Sequence, residues 1–392
     1  MSKYRYRYCC GKALNSSPPH VTQFPICFAL HKSSSARVQS SSNMAPTPFE
    51  VSDVLPAVTA CTATARNRIL VTGGAGFIGF HTCKALLARG DDVVIVDELN
   101  DYYDVQLKQS NLDWLTSTYS ARVHVFIGDL CDQQLVRRVL KETKPTAMVH
   151  LAARAGVRPS IDNPLLYIHS NVVATTVLLD ACREFGIQKF VYASSSSVYG
   201  GSQKESFSEE DIVDFPVSPY AATKKSCELL AHSYHHLHGL DTIGLRFFTV
   251  YGPRGRPDMA PFKFMDRIAH GVAIDQYGDG SSSRDYTFID DIIQGVLLSL
   301  DRGRGCEVFN LGRGTPVLLT DFIEIIENLV GKKAKITILP DQPGDVPRTS
   351  ADISKAQRML GYKPTTPLAE GLQKTWEWYS EFYAAQLSST SQ

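Results

Sequence analysis

Short apolar runs rich in β-branched residues alternate along this chain with segments whose apolar positions recur at helical spacing. The runs 68–71, 93–96, 123–127, 148–151 and 190–193 have the length and composition of buried strands. Between and after them, 78–89, 133–141, 172–185 and 219–238 carry the helical period. Strands alternating with helices predict βαβ units, and hence an α/β fold built on a Rossmann-like, doubly wound parallel sheet with helices on both faces. Ligands of such a sheet collect in a crevice beyond the carboxyl ends of its strands. After residue 251 the rhythm loosens into Pro- and Gly-rich segments, which predicts a smaller, partly interleaved C-terminal domain. The expected division is an extension over 1–65, a first domain over 66–250 to which 285–312 returns, a second domain over 251–384 and a disordered tail over 385–392.

Composition narrows the function classes. The 392 residues are 43% apolar and 20% charged, with 40 basic and 40 acidic side chains. A zero balance argues against binding nucleic acid, which needs a surplus of Lys and Arg. No purely apolar run approaches the ~20 residues of a membrane span, so none is expected. The zero also hides an asymmetry. Residues 1–49 hold no Asp or Glu but six basic groups, which leaves 34 basic against 40 acidic groups, a net of −6, in 50–392. The basic, Ser-rich stretch fits either an organelle transit peptide or a disordered extension, including an upstream start ahead of Met44. A secretory signal is not expected, because the best apolar stretch, 24–30, is broken by Pro25. The expected location is therefore the cytoplasm, or a plastid if the extension is a transit peptide. Nine scattered cysteines without a CxxC pair fit free thiols in a reducing compartment.

Two stretches carry the chemistry. The first, VTGGAGFIG over 71–79, follows a predicted strand and opens a predicted helix. In that context Gly73 permits the tight turn, Gly76 lets a pyrophosphate approach the backbone, and Gly79 lets the helix pack on the strand. Asp97 ends the second strand, where a carboxylate accepts hydrogen bonds from the adenosine ribose and repels a 2′-phosphate, so the cofactor expected is NAD. Asp129, in the GDL after the third strand, is either an adenine contact or a simple cap. The second stretch begins at Ser218-Pro219, a capped helix start that puts Tyr220 and Lys224 on one face. Its partner is SSSSVYG, 194–200, at the end of the fifth strand. A phenol, an ammonium and a hydroxyl suit hydride transfer at a secondary alcohol. Phenols ionise near ~10, too high for a base at neutral pH. One positive charge at ~4 Å is worth ~4 kcal/mol at an effective dielectric of 20, or ~3 pKa units. Lys224 and the nicotinamide ring supply such charges to Tyr220, while Ser195 holds the substrate hydroxyl.

With these residues in view, 66–383 resembles the extended short-chain dehydrogenases/reductases, and within them the NAD-dependent UDP-glucuronate 4-epimerases. The glycine loop, NDYYDVQLKQ (100–109), HLAARAGVR (150–158), SSSSVYG and SPYAATK carry the resemblance. RFFTVYGPRGRPDM (246–259), RDYTFIDD (284–291) and GDVPRTSADISKA (344–356) extend it. It implies that tightly bound NAD oxidises carbon 4 of a UDP-sugar, the 4-keto sugar turns over, and the hydride returns to the other face. Tyr220 is then the base, Lys224 its activator and Ser195 the hydroxyl partner. Phe77, Ile78, Leu130, Leu151, Ala152 and Ala153 join the cofactor contacts. A homodimer through the helices 172–185 and 219–238 is implied as well.

Relatives that dehydrate the sugar resemble this chain but carry Asp-Glu where it has Ser196 and Ser197. Without those carboxyl groups, epimerisation is the better fit. A 4-keto uronic acid is a β-keto acid and loses carbon dioxide readily, so its carboxylate must be held. Arg256, Thr249 and the loop of Ser195, Ser196 and Ser197 are the expected clamp, with Arg256 as a bidentate fork, and a loop-capping role for Arg256 is the plainer alternative. Arg284 is the expected phosphate binder and Asp345 the ribose partner, while Phe262 and Lys263 frame the uracil. Gln342 stands where the UDP-galactose relatives carry an Arg. The alternatives left open are a UDP-glucuronate decarboxylase, a neutral UDP-hexose 4-epimerase and an inactive NAD-binding sensor. The HSYHHLH run over 232–238 reads as a solvated helix face, and no metal is expected. The aromatics of WEWYSEFY, 376–383, read as core and interface packing.

Overall fold

The computed structural model describes residues 66–342 and 344–389, so the expectations for 1–65 lie outside the described residues. The described residues belong to one compact unit. Its frame is a seven-stranded sheet of β1 (Arg68–Thr72), β2 (Asp92–Asp97), β3 (Val123–Ile127), β4 (Ala147–His150), β5 (Lys189–Ser195), β6 (Asp241–Phe247) and β7 (Cys306–Leu311). The spatial order is β7-β6-β5-β4-β1-β2-β3 and every neighbouring pair is parallel. This is the expected Rossmann-like α/β fold.

Alternation along each strand explains why both faces are covered. Ile69, Val71, Val93, Ile95, Val149 and Val191 turn to one side, where α1 (Phe77–Arg89), α2 (Val105–Tyr119) and a helix from Ile289 to Arg302 bury Phe80, Leu86, Leu115 and Val296 on them. Leu70, Val94, Met148, Phe190 and Tyr192 turn to the other, against α3 (Gln133–Thr143), α4 (Ala174–Phe185) and α5 (Pro219–His238).

Several elements differ from the hydrophobic pattern for identifiable reasons. β6 is interrupted in sequence by Gly244, and a Cβ there would stand 2.6 Å from the Tyr192 hydroxyl oxygen. The glycine lets that ring cross the strand but erases the apolar run. Asp104 caps α2 by accepting from the Gln106 N–H at 2.9 Å. Its apolar positions keep no clean period. The helical run containing α4 begins at Pro164, earlier than residue 172, and passes through a π-helical segment, Ile168–Val173. Leu165, Leu166, Ile168 and Val173 are exposed there, so no core-facing stripe marks the start. By length and composition this run, Pro164–Phe185, is apolar enough to cross a membrane, with a mean hydropathy of 1.4, which the count of purely apolar residues had not suggested. The same window is 44% buried inside the protein. The last helix, Leu368–Ser389, continues beyond residue 384, into the stretch expected to be a disordered tail.

The C-terminal part is held by small two-stranded pairs, such as Ile274–Tyr277 with Ile336–Leu339, around a separate apolar cluster. Tyr286 stacks on Phe322 in that cluster with ring centroids 4.3 Å apart.

Candidate active site

The sheet changes direction between β1 and β4, and a cleft of about 410 Å³ opens beyond their carboxyl ends. The glycine loop forms one wall. Gly73 has φ +71° and donates its N–H to the Val96 carbonyl at 2.8 Å. A Cβ at Gly79 would lie 1.9 Å from the Gly73 carbonyl oxygen, so only glycine lets α1 start this close to the turn. Gly76 caps α1 without a side-chain hydrogen bond, which leaves the first-turn N–H groups to an anion.

At the end of β2 the Asp97 carboxylate is 7% exposed and accepts from the Ala75 and Leu99 N–H groups at 3.0 and 2.9 Å. Burial pushes its pKa above the usual carboxylate range. The buried Lys108 ammonium lies over the Tyr103 ring at 4.5 Å and donates to Asn100 Oδ1 at 3.0 Å. Below the β1–β4 seam the His150 ring bonds with the hydroxyls of Thr72 and Thr175 at 2.7 and 3.1 Å, and burial pushes its pKa down to about 3. It is a neutral structural group.

The opposite wall comes from β5 and α5. Ser195 Oγ accepts from the Ser197 N–H at 3.2 Å and shapes the serine turn. Ser194 donates to Glu228 Oε1 at 2.6 Å. Glu228 also takes Arg246 Nε and Nη2, each at 2.9 Å, and Arg246 Nη1 donates to the Tyr199 oxygen at 2.9 Å. Tyr199 in turn donates to Asn310 Oδ1 at 2.7 Å. This buried network fixes the serine turn from beneath. Ser218 caps α5 through Ala221 N–H at 3.1 Å, and one turn on Lys224, 4% exposed, donates to the Ala193 carbonyl at 2.8 Å. The Tyr220 ring meets Tyr167 edge-on at 6.2 Å.

Gly73, Gly76, Phe77, Ile78, Gly79, Asp97, Asp129, Leu130, Leu151, Ala152 and Ala153 all line the cleft, together with Tyr220, Lys224, Ser195, Ser196, Ser197, Thr249 and Arg256. The Arg256 fork differs from expectation. Its Nε and Nη2 already donate to Asp258 Oδ1 and Oδ2 at 3.0 and 2.6 Å, and its guanidinium lies 5.2 Å from the Tyr102 ring centre.

Four expected residues are not among the residues that line this cleft. Phe262 is 6% exposed and packs on Tyr379 at 5.5 Å, and Lys263 pairs with Asp275 at 3.5 Å. Arg284 donates to the Ser283 and Pro347 carbonyls. Asp345 pairs with Arg158 at 2.5 Å, whose guanidinium stacks 4.1 Å from the Tyr277 ring centre. Sequence reasoning passed over Tyr102, Tyr103, Lys108 and Arg154, which line the cleft, and Glu228 beneath it. The first three stand in the NDYYDVQLKQ stretch, whose aromatic-cationic pattern was the available signal.

The model of the GDP-mannose 4,6 dehydratase family matches residues 70–375. The chain is 46% identical over 313 residues to a UDP-glucuronate 4-epimerase of Thermodesulfobacterium geofontis, covering 80% of this chain and 96% of that one. It is 46% identical over 336 residues to UDP-glucuronate 4-epimerase 4 of Arabidopsis thaliana, covering 81% and 76%. The solved UDP-glucuronic acid 4-epimerase from Bacillus cereus, in complex with UDP-glucuronic acid and NAD, superposes with a TM-score of 0.76 at 36% identity, covering 81% of this chain and 100% of that one. Fold, cleft and likeness agree, and the chain belongs to the GDP-mannose 4,6-dehydratase group of extended short-chain dehydrogenases/reductases, among the UDP-glucuronate 4-epimerases.

Proposed function

We propose that this protein interconverts UDP-glucuronate and UDP-galacturonate by NAD-dependent 4-epimerisation through a transient 4-keto sugar. The observation that carries the reading is one cleft in which the Tyr220, Lys224 and Ser195 triad faces a glycine-loop cofactor wall, with Ser196 and Ser197 where a dehydratase needs carboxyl groups. The residues fit NAD. The open N-terminus of α1 suits the pyrophosphate and Asp97 the adenosine ribose. Asp129, on the cleft wall after β3, is the adenine partner in this reading. Bound NAD supplies the acceptor and later the donor of the hydride, so no net redox change accumulates.

The chain's own groups handle the proton and the sugar. Tyr220 takes the proton from the carbon-4 hydroxyl as the hydride leaves, and returns it when the hydride comes back to the opposite face. Lys224, anchored on the Ala193 carbonyl, stands one helical turn from Tyr220 as its partner in the proton transfer. Ser195 holds the same hydroxyl and the carbonyl that replaces it. The uronate carboxylate is held by Arg256, Thr249 and the Ser196–Ser197 turn. Asp258 already takes the Nε–Nη2 edge of Arg256, so the substrate meets Nη1. Holding the carboxylate off the axis of the carbonyl π system suppresses loss of carbon dioxide. Arg284, Arg158, Asp345 and Tyr277, which cluster with one another outside the cleft lining, are read as the nucleotide pole, and residues 251–384 are read as the nucleotide-sugar domain beside a cofactor domain of 66–250 with 285–312.

The clamp is tested by Arg256→Ala with UDP-glucuronate, products resolved by proton NMR. The expected outcome is a turnover loss of about 10-fold or more, with UDP-pentose released. An unchanged rate without UDP-pentose contradicts it.

A further inference from the structure

Outside the reacting end of the cleft, three side chains with metal-ligating atoms converge. Asp129 Oδ2 lies 2.9 Å from His169 Nε2, and the Cys131 thiol, on the same turn as Asp129, donates to the His169 carbonyl at 3.3 Å. The ligating atoms of Asp129, Cys131 and His169 all lie within 4.8 Å of one another. Around a tetrahedral ion with Zn–S of ~2.3 Å and Zn–N and Zn–O of ~2.0–2.2 Å, ligand atoms stand roughly 3.3–3.6 Å apart. The cluster reaches that spacing by side-chain rotation alone, because all three groups are at least partly exposed. One carboxylate, one thiolate and one imidazole make a borderline-soft donor set that selects zinc-like ions over magnesium or calcium. Two features of the backbone bring it together. The Asp129 carboxylate accepts from the Cys131 N–H at 2.9 Å, which turns both side chains to one side of the strand end. His169 sits on the π-helical segment Ile168–Val173, an irregularity that recurs at functional positions.

We infer that Asp129, Cys131 and His169 form a binding site for a zinc-class divalent ion at the rim of the cofactor cleft. The ion takes the Asp129 oxygen, the His169 Nε2 lone pair and the Cys131 sulfur, and the thiol proton is released to water, with a water molecule as fourth ligand. Asp129 also lines the cleft, so metal and adenine draw on one carboxylate. The coordination stands without the cofactor reading, whereas competition between metal and NAD rests on it.

The test titrates the purified full-length protein with Co²⁺ and follows the near-ultraviolet thiolate-to-cobalt charge-transfer band. Wild type is expected to gain the band with one ion per chain. Cys131→Ser should lose it, and His169→Ala should weaken binding about 10-fold or more. With nine cysteines in the chain, the difference spectrum against Cys131→Ser identifies the sulfur. Absence of the band in wild type, or its persistence in Cys131→Ser, overturns the site. Unchanged Co²⁺ affinity in excess NAD, with the band intact, overturns only the competition.

Discussion

Tyr220 and Lys224 lie one turn apart at the start of α5, and Lys224 is tied to the backbone of β5 at Ala193, so helix and strand hold the proposed catalytic groups in register. Tyr220→Phe removes the proposed proton acceptor but keeps the ring that meets Tyr167. Turnover is expected to fall by about 10²–10⁴-fold while bound NAD is retained, measured as rate and as cofactor released on denaturation. A variant within about 10-fold of wild type would remove Tyr220 from the chemistry. At this scale the sequence was most readable where residue type and spacing put a side chain or turn on the cleft, as in the glycine loop, Asp97, Tyr220 and Lys224. It was least readable where partners come from distant strands. Nothing near Glu228 in sequence announces that it holds Ser194 and Arg246, which lie 34 and 18 positions away. The Asp258 grip on Arg256 was hidden differently, since a neighbouring carboxylate in a loop has many orientations and only the fold selects one.

Among the elements, the β1 turn and the α1 start form the most constrained junction. The Gly79 position leaves no space for a methyl group, so Gly79→Ala must push α1 away from the Gly73 carbonyl. The expected result is loss of NAD from the purified protein and a stability loss of about 1–3 kcal/mol, read by cofactor content and thermal melting. Wild-type NAD content in that variant would show that the junction tolerates movement. Strands β1, β2, β4 and β5 were legible because both faces are buried and their apolar runs are unbroken, and the edge strand β3, with His124 and Ile127 exposed, because its β-branched residues still cluster. The sixth strand was not, since Gly244 makes room for Tyr192, and the helix start at Pro164 was not, since its apolar side chains face outward. Periodicity reports burial, and an element that yields its burial to a neighbour or presents it to solvent loses that mark.

For the molecule as a whole, the zero charge balance separates into a basic stretch over 1–49 and a body with six more acidic than basic groups. A mildly acidic body that takes a nucleotide sugar must hold its anions locally, at the α1 N-terminus and at placed Arg side chains. The exposed apolar positions Val173, in the helix 172–185, and Leu229 and Leu237, on α5, belong to the helices expected to form a homodimer. Sedimentation velocity is expected to give a dimer for wild type and a monomer for Leu229→Arg. A monomeric wild type would leave that face without its proposed partner. The central claim concerns the reaction itself, and the most direct test incubates the purified wild-type protein with UDP-glucuronate, without added NAD, under proton NMR. The expected result is growth of UDP-galacturonate signals to a steady mixture, with no UDP-pentose and no net NADH. Accumulation of UDP-pentose, or an unchanged UDP-glucuronate spectrum from protein that retains NAD, would contradict it.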